Sequence, residues 1–411
     1  MKPAACRFCK GPLTLSFADL GMSPPSNSYL EAAELNRVER FYPLHAWVCE
    51  KCFLVQLEEF ETPEQIFSDY AYFSSYSESW LAHAEAYTQA MTARLGLNAS
   101  SFVVEIASND GYLLQYFVLQ GIPVLGIEPA ANVATVAEKK GVPTLVKFFG
   151  TQTAQELAKA GRKADLILGN NVLAHVPDLN DFVHGMKALL KPGGVITMEF
   201  PHLLRLMQEN QFDTIYHEHF SYISFLVAER VFAAHGLTLF DVDEIPTHGG
   251  SLRIYARHVA NAVLEVSAKV AELRKRERAA GLERAETYRT FAEKVKGTKR
   301  SLLKFLIGAK ESGKSVVGYG APAKGNTLLN YCGVRSDLLE YTVDRSPHKQ
   351  GRFLPGIHIP IHAPEKIMQT RPDYVLILPW NLQDEIVGQM NGIRAWGGRF
   401  VVPIPETKVL D

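Results

Sequence analysis

The chain has 411 residues, 47% of them hydrophobic and 21% charged, and its formal net charge is -1. This length predicts two or three domains, and the near-neutral charge argues against a nucleic-acid partner. The first residues turn polar at once and no apolar run is long enough to span a membrane, so we expect no signal peptide, no membrane partner and a cytoplasmic location.

The first segment, residues 1–68, carries turn signals, little helical periodicity and two cysteine pairs, Cys6 with Cys9 and Cys49 with Cys52. Two Cys-x-x-Cys knuckles supply four thiolates, which can close a tetrahedron around Zn²⁺ and leave no position for substrate. A redox role does not fit, because neither pair opens a helix after a strand. The segment is therefore predicted to be a zinc-binding lobe with a structural metal.

Residues 69–285 alternate short apolar strands with amphipathic helices, which predicts an α/β fold with a largely parallel sheet. The predicted strands span residues 102–106, 124–128, 165–170 and 194–200. From residue 262 to about 310 the chain is rich in helix-forming and charged residues. We interpret these charges as the solvated face of long helices.

A strand, a tight turn of small residues and a helix start follow one another at residues 103–114, where backbone N–H groups can approach a ligand. Glu128 ends the next predicted strand, and a carboxylate there suits the two hydroxyls of a ribose. The alternative is a different nucleotide, but an NAD site would carry GxGxxG at this turn. We favour S-adenosylmethionine (SAM), and the residues predicted to bind it are Glu105, Ala107, Asn109, Gly111, Glu128, Asn170 and Asn171.

Reactive side chains are concentrated at residues 212–224, where Tyr216, His217, Glu218 and His219 follow one another. The two histidines could bind a metal, although no third ligand is evident, or they could be buried core residues. The density of titratable groups favours acid–base chemistry instead. If the segment is extended, Tyr216 and Glu218 share one face and His217 and His219 share the other. If it is a turn or a helix start, Tyr216 and His219 face together.

Other polar and aromatic side chains lie in two loops that could border a ligand. The upstream segment 69–80 could equally be a packing seam between the zinc lobe and the sheet, whereas the paired glycines of 247–253 indicate a turn that approaches a ligand closely. The residues assigned here to the substrate are Tyr72, Ser75, Tyr76, Tyr222, His248 and Arg253.

Residues 286–411 predict a second, smaller Rossmann-like sheet, with strands at 315–320, 340–344, 374–379 and 399–405. Gly318, Gly320 and Ala323 satisfy G-x-G-x-x-G/A, and Asp344 ends the next strand. This pattern on its own is typical of a dinucleotide site, so an NAD-dependent oxidoreductase is the main alternative function. A sheet kept only for stability is also possible.

These motifs occur together in one order: two Cys-x-x-Cys knuckles, EIASNDG, NNVLAHVPD, IYHEHFSYIS, HGGSLR and GYGAPAKGNTLLN. In this the chain resembles the sugar C-methyltransferase family, typified by the enzyme that C-methylates a tetronitrose precursor. The resemblance implies a class I SAM methyltransferase domain and methylation at C-3 of an NDP-4-keto-deoxy-sugar. It leaves dTDP, GDP and CDP open as the nucleotide, and it favours a monomer.

The resemblance also implies roles for single residues. His219 corresponds to the base that removes the C-3 proton, with Tyr216 and Glu218 as its neighbours, His175 as a second active-site histidine and Tyr70 as an active-site tyrosine. The second Rossmann-like domain would hold the nucleotide-sugar in place of NAD, through Lys324, Asn326 and Arg345.

The chemistry agrees with these residue types, because a hydrogen beside a ketone is acidic enough for a positioned imidazole to remove. An O- or N-methyltransferase on the same scaffold is an alternative that needs no enolate. A zinc-bearing binding module is a further alternative, which the density of tyrosine and histidine at the sheet edge disfavours.

Overall fold

Three β-sheets organise the chain in the computed structural model, which describes residues 4–64 and 73–410. The first sheet is antiparallel and contains β1 (Leu15–Ser23), β2 (Tyr42–Val48) and β3 (Val55–Leu57). Its fourth strand, Ser221–Tyr222, comes from the middle of the chain. The zinc lobe is therefore completed by residues of the histidine-rich segment, residues 212–224.

The lobe does not have a core of its own. Phe17 on β1 is fully buried and stacks on Phe291, with 4.4 Å between the ring centroids. Tyr288 packs edge-on against the same ring. A segment this small cannot bury enough apolar surface by itself, so it shares its core with helices far along the chain.

The second sheet has seven strands in the order β10-β11-β8-β7-β4-β5-β6. Strands β8 to β6 in that order run parallel, whereas β8, β11 and β10 pair antiparallel. The strands of this sheet are β4 (Val103–Ile106), β5 (Val124–Ile127), β6 (Thr144–Leu145), β7 (Ala164–Asn170), β8 (Leu190–Pro201), β10 (Leu237–Ile245) and β11 (Ser251–His258), with β9 being Ser221–Tyr222 of the first sheet. The predicted parallel α/β sheet is confirmed.

Helices pack against this sheet and connect its strands. They are α1 (Glu78–Leu95), α2 (Leu114–Leu119), α3 (Ala131–Lys139), α4 (Thr151–Lys159), α5 (Leu179–Leu189), α6 (Leu203–Gln208) and α7 (Phe225–Ala234). Strand order reverses between β4 and β7, because the chain runs outward through β5 and β6 before it returns to β7. Ligands of such sheets bind at the carboxyl ends of the two strands that flank this point.

The charged stretch after β11 forms α8 (Ala268–Ala279), α9 (Ala285–Arg289) and α10 (Phe291–Glu311). Our prediction of a solvated face is wrong at Glu277, which is fully buried. Its carboxylate accepts from the backbone N–H groups of Phe225 and Leu226 and pairs with His202 at 2.7 Å. A carboxylate at the positive end of α7 is stabilised there, which explains its burial.

The third sheet has the order β14-β13-β12-β15-β16-β17, parallel except for the edge strand β17. Its elements are β12 (Val316–Tyr319), α11 (Ala323–Cys332), β13 (Thr342–Val343), β14 (Ile361–His362), α12 (Glu365–Thr370), β15 (Tyr374–Ile377), α13 (Gln383–Gln389), β16 (Arg399–Val402) and β17 (Lys408–Leu410). The second Rossmann-like domain is confirmed. Across the described ranges, 4–64 and 73–410, the helices are all too short or too polar to cross a bilayer.

Candidate active site

The four paired cysteines converge on one point of the zinc lobe. Their sulfur atoms all lie within 4.8 Å of one another, with 3.6 Å between Cys6 and Cys52 and 3.4 Å between Cys9 and Cys49. A Zn–S bond of about 2.3 Å in a tetrahedron separates the sulfurs by about 3.8 Å, so the cluster fits zinc. It is a structural zinc site, because the four cysteines fill all four positions.

Side chains around the cluster prepare it for a metal. Gln56 donates to the Cys6 sulfur at 3.2 Å, as outer-shell groups of metal sites do. Hydrogen bonds from Cys52 and Gln56 hold the pKa of Cys6 near 4 against the effect of burial. The fifth cysteine, Cys332, is buried in α11 as predicted.

The turn after β4 contains three residues in left-handed backbone conformations: Ala107 (φ 57°), Asn109 (φ 48°) and Gly111 (φ 73°). Only glycine adopts this conformation without cost, so the turn holds strain at two positions. Strain of this kind is typical of ligand sites. A side chain at Gly111 would also press on Ala137, at 3.2 Å.

Two buried carboxylates flank this turn. Glu128 accepts from the backbone N–H groups of Asn109 and Ala130, both at 2.9 Å. Burial raises the pKa of Glu128, and these two hydrogen bonds partly offset the effect. Burial also raises the pKa of Glu105 well above its usual range, and a hydrogen bond with Tyr112 offsets part of this effect. Glu128 thus braces the turn and lies beside the position predicted for a ribose.

Asn170 and Asn171 lie at the carboxyl end of β7, on the other side of the switch point. Asn170 is 9% exposed, and its amide has no hydrogen-bond partner among residues 4–64 and 73–410. Buried amides without partners are rare, and this one faces the edge where a ligand would bind. Asn171 is left-handed (φ 56°), and its amide lies 2.6 Å from the His248 ring. These features fit the adenosyl group of SAM.

The segment upstream of α1 reaches the same turn. The Ser74 backbone donates to Asn109 at 2.9 Å, and Ser75 accepts from Lys140, which also pairs with Asp110. Tyr76 is 64% exposed and stacks with Phe73 and His348 at the surface. Ser74 and Ser75 therefore lie beside the turn that follows β4. Tyr70 and Tyr72 lie outside the described residues.

His219 and Tyr216 face each other in a turn, as the helical spacing predicted. The Nδ1 atom of His219 lies 2.9 Å from the carbonyl oxygen of Thr214, which can only accept, so Nδ1 carries the proton. In the neutral ring Nε2 is then the acceptor, and it receives the Tyr216 hydroxyl at 2.9 Å. The geometry presents the lone pair of a neutral imidazole beside a phenol.

His175 lies edge-on to His219, with 4.7 Å between the ring centroids. Its Nδ1 donates to the carbonyl of Glu218 at 2.8 Å. Burial lowers the pKa of His175 to about 4, and burial together with His175 lowers the pKa of His219 well below its usual value. Both rings are neutral at neutral pH, which is the state that a base requires.

The remaining residues of the histidine-rich segment divide between two environments. Glu218 accepts from the Asn27 amide of the zinc lobe at 2.6 Å. Tyr222 is 6% exposed and lies edge-on to His219 at 6.2 Å. His217 points to the carbonyl of Pro43 and lies beside Tyr42, away from His219. Tyr216, Tyr222 and His175 therefore gather around His219, whereas the Glu218 carboxylate binds the zinc lobe and His217 points to Pro43.

His248 lies between the end of β7 and helix α1. It has a left-handed backbone (φ 55°), contacts Asn171 and lies 5.2 Å from the Trp80 ring. A side chain at the next position, Gly249, would come within 2.6 Å of Trp380 in the third sheet's domain. The predicted close approach is therefore one between two domains. Burial and Lys324 lower the pKa of His248 to about 4.

Arg253 belongs to a buried network of charged side chains. Its guanidinium donates to Glu199 at 2.6 Å and lies 4.8 Å from the Tyr87 ring centroid. His83 contacts the other carboxyl oxygen of Glu199 at 2.9 Å. Burial opposes the ionisation of Glu199, but His83 and Arg253 outweigh it and lower the pKa of Glu199. The pair holds β8 and β11 in register beside α1.

The switch point of the third sheet faces the histidines. Lys324, in the first turn of α11, donates to Asn381 at 2.7 Å and lies 4.4 Å from the Trp380 ring. Burial lowers the pKa of Lys324. Its charge adds to the effect of burial in lowering the pKa of both His219 and His248.

The other residues predicted at this sheet lie differently. Asn326 is fully buried, and its amide nitrogen has no partner within the described part of the chain. Arg345 has an exposed side chain and lies 3.5 Å from Glu385. Lys324 and Asn326 thus share α11, whereas Arg345 is at the rim.

The glycine turn of the third sheet is braced internally. Asp344 accepts from the Ala321 backbone at 2.8 Å, and Lys349 and Tyr29 both donate to the Ala321 carbonyl. In a dinucleotide site the corresponding carboxylate binds the ribose hydroxyls. Asp344 holds the turn as Glu128 does in the second sheet, but here Tyr29 of the zinc lobe also covers the turn, which argues against an NAD site.

Several site residues were missed by sequence reasoning: Asn27, His83, Glu199, Asp213, Trp380 and Asn381. Asp213 is buried and accepts from Trp380 at 2.7 Å, and burial raises its pKa to about 6. Only Glu199 carried a usable signal, since it ends a predicted strand beside Asn170. The others join the site through contacts between distant segments.

Three sequence families match the chain in succession. The zinc binding domain family matches residues 6–67, a methyltransferase domain family matches residues 80–242, and the C-methyltransferase C-terminal domain family matches residues 246–405. The ranges follow the three sheets only in part, because β9 of the first sheet lies within 80–242 and β11 of the second sheet lies within 246–405.

Individual proteins with similarity to the chain include two methyltransferases. C-methyltransferase NovU from Streptomyces niveus is 37% identical over 406 residues, which cover 99% of this chain and 96% of NovU. Ubiquinone biosynthesis O-methyltransferase from Bartonella tribocorum is 30% identical over 95 residues, 23% of this chain and 38% of that enzyme. Among solved structures, magnesium protoporphyrin IX methyltransferase from Synechocystis PCC 6803 with bound SAM aligns with a TM-score of 0.33 and 14% identity, over 43% of this chain and 78% of that one.

Proposed function

This chain belongs to the sugar C-methyltransferase family and is a SAM-dependent methyltransferase, and on that premise we propose that it methylates C-3 of a nucleotide-linked 4-keto-deoxy-sugar through an enolate. The observation that carries the proposal is the pair formed by His219 and Tyr216. The Thr214 carbonyl holds the Nδ1 proton of His219, so the Nε2 lone pair of that ring faces the Tyr216 hydroxyl.

In this mechanism His219 removes the C-3 proton of the sugar, and the electron pair moves onto the neighbouring keto oxygen. When the substrate binds, its C-3 hydrogen takes the place of the Tyr216 hydroxyl at Nε2 of His219, and Tyr216 donates to the keto oxygen instead. The neutral His175 ring, beside His219, is a second donor or acceptor. Bound SAM supplies the electrophilic methyl group that the enolate carbon takes up. Glu218 orients the histidine segment through Asn27, and Tyr70 is proposed to complete the site.

We assign the nucleotide part of the substrate to the third sheet's domain. Lys324 offers a cation for a diphosphate at the start of α11, and Asn326 offers a buried amide. Arg345, Ser75 and Tyr76 are assigned to its rim, and Tyr72, which lies outside the described residues, is proposed as a further substrate residue. Within this proposal the zinc lobe spans residues 1–68, the methyl-donor domain 69–285 and the nucleotide-sugar domain 286–411, in a monomer that accepts dTDP, GDP or CDP sugars.

The test is incubation of the enzyme with SAM and a panel of NDP-4-keto-6-deoxy sugars, followed by mass spectrometry and NMR. We expect a mass gain of one methylene on one sugar, with the new methyl group on C-3. A methyl group on oxygen or nitrogen would contradict the proposal and favour the O- or N-methyltransferase alternative.

A second measurement isolates the enolate. With S-adenosylhomocysteine present and D₂O as solvent, the C-3 hydrogen of the accepted sugar should exchange for deuterium without methylation. Absence of exchange in an enzyme that methylates the sugar would rule out a freely reversible enolate. Binding of NAD(P)H with no binding of SAM would instead favour the oxidoreductase alternative.

A further inference from the structure

Arg7 lies directly after the zinc ligand Cys6 and is tied to β3. Its backbone N–H donates to the Gln56 side-chain oxygen at 2.9 Å, and the amide nitrogen of Gln56 donates to the Cys6 sulfur at 3.2 Å. One glutamine therefore fixes both the metal ligand and the start of the Arg7 side chain. Through this contact the position of Arg7 depends on the zinc knuckle.

The Arg7 guanidinium reaches from the knuckle to both histidine segments. One nitrogen donates to the Pro177 carbonyl at 2.8 Å, two residues after His175, and the other donates to the Leu57 carbonyl. The group lies 5.3 Å from the ring centroid of Phe220, which directly follows His219.

Leu57, whose carbonyl accepts from Arg7, also binds the residue that follows His219. Its backbone N–H donates to the Phe220 carbonyl at 3.0 Å, and its strand pairs with β9 through Gln56 and Ser221. His175 ends the single turn Leu173–His175, and His219 lies two residues before the two-residue strand β9. The two segments contact each other directly, because His175 donates to the Glu218 carbonyl at 2.8 Å, and Arg7 adds a second link between them from the zinc knuckle.

We propose that Arg7 is a positioning residue, which sets the separation of His175 and His219 and makes their geometry depend on the zinc knuckle. Its effect on turnover rests on the function proposed above. The planar fork of a guanidinium can hold two carbonyl oxygens in fixed directions, whereas the single ammonium of lysine cannot. A misplacement of about 1 Å at reacting groups is enough to cost up to roughly a hundredfold in rate.

The test compares Arg7→Lys with Arg230→Lys in the zinc-loaded enzyme. Arg230 is a matched control, because it also donates to a carbonyl of the zinc lobe, that of Cys52 at 3.0 Å, and lies near the Phe53 ring. It does not contact a histidine segment among the described residues. We expect Arg7→Lys to lower kcat about tenfold, with unchanged zinc content and unchanged Kd for SAM, and Arg230→Lys to keep the wild-type kcat.

Two readouts separate positioning from a general loss of structure. The ring signals of ¹⁵N-labelled His175 and His219 should shift in Arg7→Lys and stay in place in Arg230→Lys, a measurement that needs no substrate. In Arg7→Ala, added guanidinium should restore part of the lost kcat.

Equal kcat and unshifted ring signals in the two lysine variants would overturn the proposal, and so would loss of zinc in Arg7→Lys alone. If the wild-type enzyme neither methylates nor exchanges any sugar, the proposed function fails, and the ring signals still decide whether Arg7 positions the histidines.

Discussion

At the scale of single residues, burial controls the protonation of His175, His219 and His248. It lowers the pKa of His175 and His248 to about 4, and it lowers the pKa of His219 well below the ordinary value near 6.5. The cost of placing a charge in an apolar site is the main cause, with the neighbouring Lys324 adding to it for His248. A cluster of neutral rings is the result, and a base in such a cluster needs no prior deprotonation.

The pH dependence of catalysis follows from these shifts. A base acts in its unprotonated form, which prevails above its pKa, so a lowered pKa extends activity toward acid. We expect kcat/KM to stay constant from about pH 8 to pH 6.5 and to fall only below that range. The measurement is a pH profile of kcat/KM with the accepted sugar, and an acid limb centred at 6.5 would contradict a buried base.

Replacement of His219 tests its role directly. His219→Asn should lower kcat by roughly 10²–10⁴-fold, the usual contribution of a positioned base, and leave the Kd for SAM unchanged in calorimetry. His217→Asn is the matched control, since His217 is two residues away and points to Pro43. It should keep kcat within a few-fold, and similar losses in both variants would point to a structural effect.

At the scale of elements, the Glu277 carboxylate on α8 is an acceptor for groups on α7 and after β8. Glu277 satisfies two backbone N–H groups at the start of α7 and also binds His202 at the end of β8. One carboxylate thus fixes a helix end and a strand end on either side of the histidine-rich segment. The amphipathic pattern of α8 does not reveal this, because glutamate on a charged helix is normally solvated.

Removal of this carboxylate should destabilise the protein. Glu277→Ala leaves two buried N–H groups and a buried imidazole without their acceptor, which costs about 3–5 kcal/mol. Glu272→Ala on the exposed face of α8 should change the free energy of unfolding by less than about 0.5 kcal/mol. Denaturant unfolding of the three proteins measures both values, and equal stabilities would show that Glu277 is dispensable.

At the scale of the whole molecule, the zinc lobe contacts both other domains. Tyr29 donates to Ala321 at the third sheet's glycine turn, Leu30 forms a β-bridge with Phe353, and β3 pairs with β9 beside His219. The zinc lobe therefore packs both against the third sheet's domain and against the strand that follows His219.

Loss of the metal should affect the entire protein. Cys52→Ser should lower the bound zinc to well below one per chain, reduce the Tm and lower kcat together, because the lobe shares its core with α9 and α10. Cys332→Ala removes a buried cysteine that is not a ligand, so it should keep the full zinc content. Metal analysis beside thermal unfolding checks this, and a Cys52→Ser protein with unchanged Tm would show that the site is dispensable for the fold.

The sequence by itself determined the zinc ligands, the two Rossmann-like sheets and the turns at their edges, because spacing, strand alternation and strained small-residue turns are local properties. It also indicated the pairing of Tyr216 with His219, which follows from helical spacing. Only the tertiary structure decided which distant groups meet there: Asn27 on Glu218, Trp380 on Asp213, and Arg253 on Glu199. Those contacts join separate domains, and burial then sets their charges, which no local pattern encodes.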